Sequence, residues 1–327
     1  MPRANVIAID SSPLPPSATR RGVLFGFVGV ALGCGPEVPA GGVKAPEQPI
    51  SRRLEPNEVL PGDLDVVVRL DLARLKQALG PEPEKQLAAR LGTDPAVSDA
   101  IAEARTATLG LRSLDLESGD HVLVVEGDMK RFKPDKASFE ATPSANDRVK
   151  IFTRSTPTTR GGAELLVLLD DRAVAFASPA EADAMLRVLR EGADESRGQP
   201  VAEGLLSFDM RPRRLSAELE QRFPSIARLI SQVQRIKGAV HVEAEALVVR
   251  VEVIARSETA AARVTKFLAA LREGADPSGA SGILKTLEVE PLGAVVAVRA
   301  RVPAVIALAA LAGAGPDPTA PPAPSGP

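Results

Sequence analysis

Alternation of apolar and charged residues in the last third of the chain is the feature that most limits its fold. Residues 240–245 read Val-His-Val-Glu-Ala-Glu, and Arg250, Glu252 and Arg256 continue the alternation. Successive side chains of a strand point to opposite faces, so this pattern puts apolar groups on one face and polar groups on the other. Sheets with one wet face are antiparallel, because parallel sheets are buried on both faces. The pattern predicts an α+β fold: antiparallel sheets with helices packed on one face.

Further strands and two helices can be located from turn and capping residues. Residues 287–290 and 296–302 form a second alternating pair around a predicted turn at Pro291-Leu292-Gly293. Ser178-Pro179-Ala180-Glu181 has the pattern of a capping box and predicts a helix that ends at Gly192. Ser257 is expected to cap a similar helix that ends at Gly274.

Two internal echoes suggest duplicated halves. Strand-like runs lead directly into helix-like runs at 65–79, 205–223 and 295–311. Residues 189–194 and 271–276 both read Leu-Arg-Glu-Gly-Ala-Asp. Duplication explains both echoes, although two helix ends could also converge on the same capping residues. We expect two α+β units.

The expected organisation follows from composition along the chain. A signal peptide covers residues 1–33, and a lipidated cysteine with a Pro- and Gly-rich tether covers 34–62. The first α+β unit spans 63–195, with a mobile loop at 132–163, and the second unit spans 196–312. Residues 313–327 are nearly all Gly, Ala and Pro and are expected to be disordered.

Composition argues against several classes of partner. The chain has no Trp and no Tyr, so it lacks the aromatic faces on which single-stranded nucleic acids and sugars usually stack. Its 40 basic residues are matched by 42 acidic ones, which leaves no large positive field for phosphate backbones. Nucleic acid is therefore not expected as a partner.

The N-terminus has the layout of an export signal. Arg20 and Arg21 precede a run without charge from Gly22 to Gly33, and Cys34, the only cysteine in the chain, follows. A membrane span needs about 20 apolar residues, so this run is too short to be one. Arg20 and Arg21 serve the general secretory route, and Thr19-Arg20-Arg21-Gly22-Val23-Leu24 also resembles the twin-arginine motif.

Val30-Ala31-Leu32-Gly33-Cys34 resembles the lipobox of bacterial lipoproteins, with Ala31 a less usual residue at its position. The resemblance implies that a dedicated signal peptidase cleaves between Gly33 and Cys34 and that the Cys34 sulfur carries a diacylglyceryl group. Acyl chains such as palmitate would then hold the protein in membrane lipid, since two chains anchor stably where one does not. The remaining chain resembles lipoproteins of unknown function from high-GC bacteria, and that likeness implies no activity. A buried, unmodified Cys34 is the alternative.

Residues for catalysis or metal binding are sparse. The two histidines, His121 and His241, each stand beside Val in a strand, so a multi-histidine zinc site cannot form. The acidic pairs Asp63/Asp65, Asp170/Asp171, Glu243/Glu245 and Glu288/Glu290 could hold calcium, but the wet face of a sheet has the same spacing. Arg211, Arg213 and Arg214 could bind an anion or line a solvated turn. The common hydrolase and nucleotide-binding motifs are missing, so no catalytic residue, metal or cofactor is assigned.

The sequence therefore predicts an envelope lipoprotein that acts as a binding or scaffold module for an unknown protein or small molecule. Gly35 after the cysteine favours the outer membrane, facing the periplasm, over the inner membrane. The seam between the two units is the expected groove for a partner. A periplasmic hydrolase using Ser or Asp with His121 or His241, and a subunit of an envelope assembly, are the alternatives.

Overall fold

Twelve strands form one continuous antiparallel sheet within the described part of the computed structural model. The described residues are 53–81, 94–112, 120–144, 146–156, 162–192, 204–212, 221, 224–243, 246–275 and 282–303. The strands are β1 (Val66–Asp71), β2 (Ala104–Leu111), β3 (His121–Gly127), β4 (Phe139–Thr142), β5 (Val149–Arg154), β6 (Leu165–Leu169), β7 (Ala173–Ala177), β8 (Leu206–Met210), β9 (Val233–Glu243), β10 (Ala246–Ala255), β11 (Glu288–Leu292) and β12 (Val295–Pro303).

The helices of the described residues pack against this sheet. They are α1 (Leu72–Leu79), α2 (Pro95–Ala102), α3 (Pro179–Glu191), α4 (Pro224–Ile230), α5 (Glu258–Gly274) and α6 (Gly282–Lys285), with short 3₁₀ helices at Pro56–Val59 and Met129–Arg131. The α+β class and the antiparallel sheet predicted from the sequence are confirmed.

The strand order is β11-β12-β10-β9-β8-β1-β2-β3-β7-β6-β5-β4. We call β1–β7 the first half and β8–β12 the second half. The two halves join through β1 and β8, which are hydrogen-bonded from Val66↔Met210 to Leu70↔Leu206. The seam is therefore continuous sheet.

Reading outward from the seam, the order β1-β2-β3-β7-β6 is matched by β8-β9-β10-β12-β11. The repeated Leu-Arg-Glu-Gly-Ala-Asp segments do not follow this correspondence. One ends α3, which comes after β7, and the other ends α5, which comes after β10. Strands β7 and β10 do not hold equivalent places in the order. The two ends also differ in their caps, since Gly192 is the C-cap of α3 with φ of +92° and Gly274 is the last residue of α5. The hexapeptide repeat therefore does not support duplication.

Helices cover both faces of the sheet in the first half. Residues of α1 and α2 pack with Leu123, Val125 and Phe176 on one face. Met185 of α3 and Val59 of the first 3₁₀ helix pack with the neighbouring, opposite-facing positions, such as Val124. In the second half, α5 packs with Val253 and Val296 on one face only, as the sequence predicted for the whole sheet. The uncovered face of the second half carries Arg250 and Glu252 and is called the charged face below.

Two segments expected to be irregular are part of the fold. Residues 132–163 were predicted to be a mobile loop but contain β4 and β5, which pair with each other from Phe139↔Arg154 to Thr142↔Ile151. The predicted tether also ends earlier than residue 62, because Leu54, Val59 and Leu60 are buried in the core. In both segments the turn-forming residues Pro, Ser and Asp indicated irregular structure, whereas the short apolar runs between them are buried in the tertiary structure.

The predicted capping box at the start of α3 is wrong. Ser178 makes no side-chain cap hydrogen bond; its Oγ instead accepts the backbone N–H of His121 at 3.0 Å. Glu181 is fully buried and accepts two hydrogen bonds from Arg112, at 2.6 and 2.7 Å, and Arg112 also pairs with Asp63. These bonds raise the pKa of the Arg112 guanidinium, the Glu181 bond most strongly. Ser257 does cap α5 as predicted, accepting from Ala260 N at 3.1 Å.

Candidate functional site

A cleft of about 600 Å³ lies on the charged face of the second half. Strands β8 to β12 supply its walls and floor. The lining residues are Phe208, Asp209, Arg235, Lys237, Gly238, Ala239, His241, Arg250, Val251, Glu252, Glu288, Glu290, Ala297, Val298 and Arg299. Its size is within the range of small-molecule sites, and its lining is unusually rich in charge.

Strand register explains how these residues meet. Residues directly opposite in an antiparallel pair point to the same face. Ser207, Ala239, Arg250, Arg299 and Glu288 therefore form one row across the charged face.

Asp209, Lys237, Glu252, Ala297 and Glu290 form the next row. Ala239 lies between Ser207 and Arg250. Ala297 lies between Glu252 and Glu290. Because alanine has only a methyl group, each of the two forms the floor of a hollow.

One wall of the cleft is an ion pair between Asp209 and Arg235. Asp209 is buried, and Arg235 donates from Nε at 2.7 Å and from a terminal nitrogen at 2.5 Å. This bidentate bond raises the pKa of the Arg235 guanidinium. Arg235 is thereby fixed in position and its charge is already matched.

Three arginines share one carboxylate beside the cleft, and two of them, Arg250 and Arg299, also line it. Glu243 lies 3.0 Å from Arg250, 3.2 Å from Arg299 and 4.0 Å from Arg301. The Nε of Arg299 is buried and has no hydrogen-bond partner within the described residues. This arginine cluster therefore has donors in excess of the acceptors that Glu243 supplies.

Other charges in the cleft have no partner among the described residues. The side chains of Lys237, Glu252, Glu288 and Glu290 make no ion pair or hydrogen bond there, although Lys237 is directly opposite Glu252. Both signs of charge are thus presented to solvent. The cleft can hold polar ligands by charge-assisted hydrogen bonds.

The two histidines lie on opposite faces of the sheet. His241 is half-buried in the cleft, whereas His121 is on β3 and faces the other way. Within the described residues the His241 ring hydrogen-bonds no serine and no carboxylate. His241 is therefore not paired with a nucleophile in the cleft, as the hydrolase alternative would require of it.

The predicted acidic pairs have different surroundings in the fold. Asp63 pairs with Arg112, Asp65 is buried, and Asp170 lies 3.2 Å from Arg53. Glu288 and Glu290 line the cleft, while Glu245 is outside the described residues.

The described residues contain no group of three His, Cys, Asp or Glu side chains placed to hold a metal ion. They also include no helix with the length and apolar character needed to cross a membrane.

The basic cluster at 211–214 is only partly described. The Arg211 backbone N–H donates to the Asp65 carbonyl at 2.6 Å, which extends the seam, and Arg213 and Arg214 lie outside the described residues. The predicted export and lipidation residues Arg20, Arg21, Gly33 and Cys34 also lie outside them.

Comparison with known proteins yields structural likeness only. No family model matches the chain, and no curated protein matches it. The chain is similar to crystal form I of TP0453, with TM-score 0.49 and 8% identity over 80% of this chain and 97% of that one. Crystal form III of TP0453 gives TM-score 0.48 and 8% identity over 80% and 99% of the two chains.

The cleft has no local sequence motif. The alternation around Arg250 and Glu252 predicts only an ordinary wet sheet face. The residues that could have indicated the cleft are Ala239 and Ala297, because each is small and lies among polar or charged residues on the same face. Their significance depends on the register of strands far apart in sequence.

Proposed function

We propose that the chain is a membrane-anchored envelope lipoprotein whose folded region is a binding or scaffold module. The observation that carries the proposal is Val30-Ala31-Leu32-Gly33-Cys34, placed directly after a positively charged segment and a run of twelve residues without charge. Acyl chains on Cys34 would provide the attachment to membrane lipid. Gly35 favours the outer membrane, with the folded region in the periplasm.

The cleft of the second half supports the binding role. It presents charges of both signs on a hydrogen-bonded sheet, and its His241 is not paired with a nucleophile within the described residues. A binding module requires such fixed polar contacts and no bond-breaking chemistry. We therefore favour binding over hydrolysis.

Metabolic labelling with an alkyne fatty acid tests the anchor. We expect label on the parent protein in the membrane fraction, and no label on a Cys34→Ser variant, which should also fail to mature. A Ser51→Cys variant combined with Cys34→Ser is the matched control, because it restores a thiol at the wrong position. Equal partitioning and maturation of the parent and Cys34→Ser would contradict the proposal.

A further inference from the structure

Two hollows in the cleft have opposite electrostatic character. Lys237 and His241 flank Ala239 along β9, and Arg250 is directly opposite Ala239 on β10. This hollow presents nitrogen groups of Lys237 and His241 on two sides, while the Arg250 guanidinium is turned to Glu243 at 3.0 Å. It matches an oxyanion such as a carboxylate.

The second hollow is acidic. Ala297 on β12 lies directly between Glu252 on β10 and Glu290 on β11. Arg299 is also near, but its guanidinium is turned to Glu243 at 3.2 Å. Two carboxylates without partners among the described residues therefore face each other across a methyl group, which suits an ammonium group.

The distance between the hollows sets the length of a ligand that fills both. Ala239 and Ala297 are two strands apart and offset by two residues along the strands. With strands about 4.8 Å apart and a rise of about 3.4 Å per residue, the two methyl groups are separated by about 12 Å. An extended peptide spans about 3.3–3.6 Å per residue, so three residues reach from one hollow to the other.

We propose that the cleft binds a short zwitterionic peptide of about three residues, with its carboxylate over Ala239 and its ammonium over Ala297. This inference rests on the proposed role of the folded region as a binding module. It gives Lys237, Glu252 and Glu290, which have no partners among the described residues, a ligand that can pair with all three. A ligand of one sign satisfies only one hollow.

Triglycine is the simplest probe, and its two blocked forms separate the hollows. N-acetyl-triglycine keeps only the carboxylate, and triglycinamide keeps only the ammonium. Saturation-transfer NMR on the purified full chain measures the affinity of each. We expect triglycine to bind best, and each blocked form to bind about fivefold to tenfold more weakly, corresponding to one lost charge-assisted contact.

Two substitutions assign the ends of the peptide. Lys237→Gln should weaken triglycine and N-acetyl-triglycine but not triglycinamide, and Glu290→Gln should weaken triglycine and triglycinamide but not N-acetyl-triglycine. Lys150→Gln and Glu140→Gln are matched controls on exposed positions of β5 and β4, and they should change nothing. Far-UV circular dichroism checks that all four variants are folded.

The proposal is overturned if triglycine does not bind, or if all three peptides bind equally well. Binding from a small-molecule extract of the envelope tests the binding module separately from the zwitterionic peptide. Lys237-dependent binding from the extract without triglycine binding would overturn the zwitterionic peptide while the binding module stands. The lipid anchor is measured separately through Cys34, so its failure is independent of this result.

Discussion

Arg112→Met should destabilise the fold strongly and in a pH-dependent manner. The substitution removes the guanidinium that hydrogen-bonds Glu181 at 2.6 and 2.7 Å and leaves a carboxylate that is fully buried. Removing one partner of a buried ion pair typically costs about 3–5 kcal/mol. Because the unpaired carboxyl can take up a proton, the cost at pH 7 is limited to about 4 kcal/mol, the free energy of protonating an ordinary glutamate at that pH.

The same reasoning gives the pH dependence. At pH 5, protonating an ordinary glutamate costs only about 1 kcal/mol, so the deficit of Arg112→Met should shrink by about 3 kcal/mol. The buried carboxyl of the variant favours its neutral form in the folded state. Stability is therefore present at low pH and is lost as the pH rises above the value at which the unfolded carboxyl ionises.

Glu181→Leu is the matched control. It leaves Arg112, whose side chain is 39% exposed and still pairs with Asp63, so the remaining charge is partly solvated. We expect a loss of about 1–2 kcal/mol with little change between pH 5 and 7.

Urea unfolding followed by far-UV circular dichroism measures these differences, because the chain has no Trp or Tyr for fluorescence. A deficit for Arg112→Met below about 1 kcal/mol at pH 7, or one equal at both pH values, would refute the reasoning.

Further outcomes follow from the structure. Gly127→Ala should lose about 1–3 kcal/mol, because a Cβ there collides with the backbone carbonyl of Glu103; Gly274→Ala, with nothing within 4 Å, should lose nothing in the same urea experiment. Equal stabilities of these variants would contradict the close approach at Gly127. The backbone N–H of Ala137 and the hydroxyl of Ser138 lower the pKa of Asp135, so its carboxylate stabilises the fold above the ordinary value of 3.8, and that contribution is lost as the pH falls through the lowered pKa. A carboxyl NMR titration should give a midpoint below 3.8, and a midpoint at or above it would be inconsistent with those hydrogen bonds.

Local patterns predicted much of the fold because they report burial directly. The pattern of residues 65–79 predicted the bounds of β1 and α1 to within one residue, because the strand alternation ends where the helical spacing begins. Asp71 caps this helix by accepting a hydrogen bond from the backbone N–H of Arg74 at 2.9 Å. Gly293, with φ of +65°, makes the predicted turn between β11 and β12. Each of these patterns depends only on residues within about a dozen positions of one another in the sequence.

What sequence reasoning missed depends on partners distant in the chain. The Ser178-Pro179-Ala180-Glu181 pattern is ideal for a capping box, yet Glu181 pairs with Arg112, 69 residues earlier. The residues next to Glu181 in the sequence give no indication of a buried ion pair with a partner so distant in the chain. The hollows at Ala239 and Ala297 likewise exist only because β10 lies between β9 and β12 in the sheet.

The intact mass of the protein extracted from the membrane tests the central claim most directly. The account predicts an N-terminus at Cys34 with the added mass of a diacylglyceryl group, with or without a further acyl chain on the new amine. A soluble protein that begins at Met1, or one with an unmodified Cys34 thiol, would contradict it.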